Sequence, residues 1–236
     1  MSKPTPLVAS FALSMVLASM TLAQTTQPAD DPPRQPRRVT IIIAGDSTTT
    51  PDAGWGMGFA KHTFHSVDVQ QMGRGGRSSR SYIDEGWWEQ VLELNGDYVL
   101  IQFGHNDQPG KGPARETDPA GTFRENLRRF VDEVRAYGGK PVLLTSLERR
   151  RFNDDGSVRP TLDAYADATR AVAAAANVSL IDLQKLSIAR YAADGQRAWA
   201  ERYSPRLPDG SVDTTHLNSD GGFIIGRIVA EQLANV

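Results

Sequence analysis

The sequence predicts an α/β fold in which a central parallel sheet of about five strands is covered by helices on both faces, a three-layer α/β/α arrangement. Three observations carry this expectation. Five short apolar runs recur along the chain, and their apolar character is continuous rather than alternating, as in strands buried on both faces. Helix-like segments separate them, the order typical of parallel sheets. The chain has 236 residues, 39% of them hydrophobic and 23% charged, which suits one domain with a full-sized core.

Read in order, residues 1–23, MSKPTPLVASFALSMVLASMTLA, set Lys3 before an apolar stretch from about Leu7 to Leu17 and end in small residues at Ala23. This is the layout of a secretory signal cleaved after Ala23, and the expected destination is the periplasm or the medium. The stretch is too short to cross a bilayer, so no membrane span is expected after cleavage. Residues 24–37, QTTQPADDPPRQPR, are polar and Pro-rich and read as a disordered linker. The folded domain is expected over residues 38–236. It has no cysteine, which excludes thiolate chemistry and thiolate zinc sites and leaves the core to hold the fold unaided. The formal net charge of -2 argues against nucleic acid as a partner, because such binders concentrate Lys and Arg on one face.

The expected strands are VTIIIAG (39–45), VDVQQM (67–72), DYVLIQFG (97–104), PVLLTS (141–146) and VSLIDL (178–183). The clearest helix lies between the third and fourth. Asp118 is its expected N-cap and Pro119 its first residue; Phe123, Leu127, Phe130, Val131, Val134 and Tyr137 share one face, and Gly138-Gly139 stops it. Helices are also expected at 161–176 and 219–233. The connections 104–117 and 191–215 are long, and long loops at strand ends are where function gathers. Ligands of open α/β sheets bind at the carboxyl ends of strands, so Ser47, Gly76 and Asn106, which follow the first three strands, are expected at one rim.

A serine hydroxyl needs a base, an orienting group for the base, and donors for the oxyanion that forms. Ser47 follows the first strand at a turn. His216, in VDTTHLNSDGGF, is the candidate base, with Asp213 three residues earlier as its orienting carboxylate. The backbone N–H groups of Ser47 and Gly76 and the side-chain amide of Asn106 are the candidate oxyanion donors. No cofactor is needed for such chemistry.

GDST at 45–48, the glycine of GGRSSRSY at 75–82, GHND at 104–107 and DTTH at 213–216 occur in the order seen in the SGNH, or GDSL-type, hydrolases. The chain most resembles the rhamnogalacturonan acetylesterase branch, with AGWGMG (53–58), QFGHNDQ (102–108) and DPAGTFRENL (118–127) as further similar blocks. The resemblance extends from about residue 39 to 233. It implies a flavodoxin-like fold and metal-independent removal of acetyl groups from pectic polysaccharide. Position by position it implies Ser47 as nucleophile, His216 as base, Asp213 as its partner, and Gly76 and Asn106 as oxyanion donors. Arg74-Gly75-Gly76 departs from the smaller neutral residues expected there; Gly76 is preferred over Gly75 because RSSRSY follows it directly. The absence of cysteine differs from fungal members that carry disulfides.

Other residues have two readings. Trp55, just beyond Ser47, serves either as a platform on which a sugar stacks or as a core anchor. His105 is either a second base or a structural residue. His62 and His65 form an HxxH pair without a partner cluster, so a solvent-facing helix is expected rather than a metal site. The arginines around Arg77 and the run Glu148-Arg149-Arg150-Arg151 read either as solvated faces or, for Arg77 and Arg149, as partners of galacturonate carboxylates. Rival functions are acetylxylan or lipid ester hydrolysis, or glycan binding without catalysis.

Overall fold

The structure, a computed structural model, describes Met1 and residues 38–236. Apart from Met1, the expected signal (1–23) and the linker (24–37) lie outside the described residues. In the compact unit Pro36–Val236, strands β1 (Val39–Gly45), β2 (Val67–Gly73), β3 (Tyr98–Gln102), β4 (Lys140–Leu144) and β5 (Ser179–Ile181) form one sheet in the order β2-β1-β3-β4-β5, with every neighbouring pair parallel. The helices are α1 (Gly56–Lys61), α2 (Ser79–Asp84), α3 (Trp87–Glu93), α4 (Thr122–Ala136), α5 (Asp163–Ala175), α6 (Leu183–Arg202) and α7 (Ser219–Leu233).

Strand β1 shows why its apolar run is continuous. Side chains alternate between the two faces of a strand. Ile42 and Ala44 enter a core with Trp88, Phe130 and Tyr165 from α3, α4 and α5. Ile41 and Ile43 enter a second core with Phe59, Tyr191 and Ile225 from α1, α6 and α7. Burying a side chain of this size contributes about 1.5–3 kcal/mol, so both cores need apolar residues at successive positions. The strand order reverses direction between β1 and β3, and an open α/β sheet forms its binding crevice at the carboxyl ends flanking such a switch point.

Some boundaries differ from expectation. Helix α4 starts at Thr122, with Gly121 at the N-cap position. Asp118 instead closes the preceding turn, its side chain accepting from Ala120 N and its carbonyl from Phe123 N. The segment 191–215 is not all loop, since α6 runs to Arg202 with a kink at Gly195 (φ 73°). No described helix is long and apolar enough to cross a membrane.

Candidate active site

Strand β1 ends at Gly45 because nothing larger fits. A Cβ there would lie 2.5 Å from Gln102 O and 2.6 Å from Thr49 Cγ2. The chain then tightens into one 3-10 turn, Ser47–Thr49, capped by Asp46. The buried Asp46 carboxylate accepts from Thr48 N (2.9 Å) and Thr48 Oγ1 (2.7 Å). Gln102 Nε2 donates to Thr48 Oγ1 (2.5 Å), and Trp55 Nε1 donates to Gln102 Oε1 (3.0 Å). Trp55 is completely buried, so it cannot stack on a sugar. It anchors the turn that presents Ser47, so of its two readings the core anchor holds and the substrate-binding platform is corrected.

Asp213 and His216 lie on the segment between α6 and α7. The Asp213 carboxylate accepts from Thr215 N (2.8 Å) and His216 N (3.0 Å), and His216 Nδ1 stands 2.8 Å from Asp213 Oδ2. Across the cleft, His216 Nε2 is 2.9 Å from Ser47 Oγ. An ionised carboxylate only accepts, so the proton sits on Nδ1 and leaves Nε2 to accept from the Ser47 hydroxyl. Burial alone would raise the Asp213 pKa. The hydrogen bonds from His216 N–H, the His216 ring and Thr215 N–H outweigh it and hold the carboxyl below its ordinary value. This arrangement can take the Ser47 proton as the hydroxyl attacks an ester carbonyl.

Asn106 follows β3 and lines the same cleft. One N–H of its amide donates to Arg77 O (3.1 Å), and the amide has a second donor. Gly76 takes the left-handed conformation (φ 75°), which favours glycine, in the turn after β2. The same turn runs beside the serine: a Cβ added at Gly75 would stand 3.9 Å from Ser47 Cβ. Asp107 ties this turn to Asn106, accepting from Ser79 N (3.1 Å), Ser79 Oγ (2.5 Å) and Thr117 Oγ1 (3.0 Å). Burial pushes its pKa up to about 7 against those hydrogen bonds. His105 is buried with Nδ1 3.4 Å from Asp46 Oδ2. Burial would raise the Asp46 pKa, but His105 beside it and the two hydrogen bonds from Thr48 hold the carboxyl below its ordinary value.

Ser47, Asn106, Arg149 and His216 line one cleft of about 480 Å³, together with Lys111 and Arg151. Arg77 is not among the lining residues. Its Nε donates to Glu85 Oε2 (2.8 Å) and its Nη1 to Gly75 O (2.9 Å), so the guanidinium braces α2 and its turn instead of facing the cleft. His62 is not a solvent-facing helix residue, since its ring packs on Phe223 at 4.3 Å. Among the described residues no group of His, Asp and Glu converges to hold a metal.

The run 148–151 is no solvated face. Glu148 and Arg150 are completely buried, while Arg149 and Arg151 line the cleft. Glu148 accepts from Thr161 Oγ1 (2.7 Å), Arg149 N (2.9 Å) and Gln184 Nε2 (2.9 Å). The only sequence signal for Arg150 was its place after a strand end, because its partners lie 41 to 66 residues away.

The sequence profile of the GDSL-like lipase/acylhydrolase family matches residues 25–222. The rhamnogalacturonan acetylesterase RhgT of Bacillus subtilis (strain 168) is 37% identical over 209 residues, covering 82% of this chain and 88% of its own. The probable rhamnogalacturonan acetylesterase YesY of the same organism is 30% identical over 199 residues, covering 81% and 90%. Among solved structures, the protein YXIM of Bacillus subtilis superposes with a TM-score of 0.73 at 28% identity, over 84% of this chain and 56% of that longer one. With the family profile spanning most of its length and the five-stranded parallel sheet in place, the chain belongs to the GDSL-like lipase/acylhydrolase family and is a carboxylic ester hydrolase.

Proposed function

We propose that the chain is an exported serine esterase that removes acetyl groups from a pectic polysaccharide such as rhamnogalacturonan, through an acetyl-enzyme intermediate. The observation that carries this reading is the line of contacts from Asp213 through His216 to Ser47, at 2.8 and 2.9 Å. His216 Nε2 takes the hydroxyl proton as Ser47 Oγ attacks the acetyl carbonyl. The oxyanion is received by donors at the Ser47 and Gly76 N–H groups and the Asn106 amide. His216 then returns the proton to the sugar oxygen, and water activated by the same imidazole releases acetate.

Two features support a short acyl group on an acidic glycan. The cleft is lined by polar and cationic side chains, which offers a fatty acyl chain little apolar surface to enter. Lys111, Arg149 and Arg151 line it without an Asp or Glu among the lining residues. Burial and the neighbouring Arg151 lower the Arg149 pKa, while Glu148 and Asp46 oppose that shift; a guanidinium stays charged at neutral pH and pairs with a uronate carboxylate in fork geometry. The acetylesterase names of the relatives support the same substrate class. Export rests on the composition of residues 1–23 alone.

Acetate release from acetylated rhamnogalacturonan, homogalacturonan and xylan tests this. The expected preference is for the rhamnogalacturonan. In the double variant Arg149→Gln/Arg151→Gln that preference over neutral xylan should fall by about tenfold, the scale of one lost charged contact, with turnover of a small chromogenic acetyl ester retained. Equal release from xylan by the unaltered enzyme sinks the pectic assignment.

A further inference from the structure

We infer that Arg150 is a positioning residue for the base, holding the Asp213–His216 segment so that the imidazole stays in reach of Ser47. Three of the four carbonyls in Asp213-Thr214-Thr215-His216 accept from this single residue. Arg150 N donates to Thr214 O (2.8 Å), and Arg150 Nη2 donates to Asp213 O (3.3 Å) and to His216 O. The other end of the guanidinium is fastened to α6 and the chain just beyond it, through Nε to Ser204 Oγ (2.7 Å) and Nη1 to Tyr191 Oη (3.4 Å), with its centre 5.7 Å from the Tyr191 ring.

The grip matters because residues 213–216 belong to no helix or strand. Among the described residues, their other backbone-to-backbone bond is Asp213 N to Pro205 O (3.0 Å), and just beyond them Leu217 N donates to Ala53 O (2.9 Å). Arg150 is completely buried, and no carboxylate among the described residues forms an ion pair with it. A buried cation received by carbonyl dipoles is a costly way to fill space, and an apolar side chain would serve packing alone. The planar fork of five donors suits the task of fixing several carbonyls at once, and lysine cannot reproduce that geometry.

The inference rests on the serine-esterase reading, so Ser47→Ala is assayed in parallel with Arg150→Lys and Arg150→Ala. With a chromogenic acetyl ester, Arg150→Lys is expected to fold and to lose about tenfold in kcat with KM within about threefold, the pattern of a misaligned base rather than lost binding. Arg150→Ala, where it folds, should lose about a hundredfold or more and regain part of its kcat in methylguanidinium, which Ser47→Ala cannot do. The downfield proton resonance between His216 Nδ1 and Asp213 should weaken or shift in both Arg150 variants. Wild-type kcat in Arg150→Lys, or an unchanged resonance in either variant, overturns the inference. Wild-type turnover in Ser47→Ala instead overturns the serine mechanism beneath it.

Discussion

Replacing Ser47 by alanine is expected to lower kcat/KM for a chromogenic acetyl ester by about 10⁴ or more while leaving the fold intact, because without the triad only oxyanion stabilisation and binding remain. The fold should survive because the hydroxyl's hydrogen bond is to His216. The turn itself is held by Asp46 accepting from Thr48 and by Thr49 N donating to Asp46 O. The unfolding free energy should therefore stay within about 0.5 kcal/mol of wild type. Steady-state kinetics together with a denaturant titration separate the two quantities. A variant that loses activity and stability together would mean that Ser47 is a cap whose removal deforms the site.

Asp213→Asn should be nearly as damaging, at about 10³–10⁴ in kcat, because an amide can present a donor where the imidazole needs an acceptor and so favours the wrong tautomer. It also weakens the acceptor for Thr215 N and His216 N, which the carboxylate holds at 2.8 and 3.0 Å. Combined with Ser47→Ala it should add almost nothing, since residues that act as a unit are not additive. The pH dependence has a definite sign. The folded pKa of Asp213 is lowered from 3.8, so its stabilising contribution is fully present above the unfolded value and is lost as pH falls through the folded one. The stability gap between wild type and Asp213→Asn should persist at neutral pH and close in acid, as pH falls below the ordinary carboxylate value toward the folded one. A gap that closes near neutrality would show that the carboxylate is not held by those three donors.

Where burial on both faces writes itself into consecutive apolar residues, the sequence was readable. VTIIIAG gives the observed β1 residue for residue, and the long helices α4, α5 and α7 are periodic enough to be found. The serine, histidine and aspartate were legible because each sits in a compact block beside an element end. Helices α1, α2 and α3 span only six or seven residues, too few for a 3.6-residue period to declare itself. Helix α6 hid behind Gly195, whose positive φ breaks the pattern in mid-helix. The largest misreading concerned charge. A Glu-Arg-Arg-Arg run looks like a solvated surface, yet Glu148, Arg149 and Arg150 are buried because partners such as Thr161, Gln184, Ser204 and His216 arrive from distant parts of the chain. Trp55 was ambiguous for a related reason: only the approach of Gln102 from β3 makes it an internal brace.

The central chemical claim is a covalent bond between substrate acyl carbon and Ser47 Oγ. Rapid acid quenching of the enzyme during turnover of an activated acetyl ester, followed by digestion and mass spectrometry, reads that bond directly. A serine mechanism predicts one acetyl group on the peptide carrying residue 47, formed within the first turnover and absent from Ser47→Ala. Turnover with the label on another side chain, or with the Ser47 peptide unmodified while the first equivalent of alcohol is released in a burst, would contradict it.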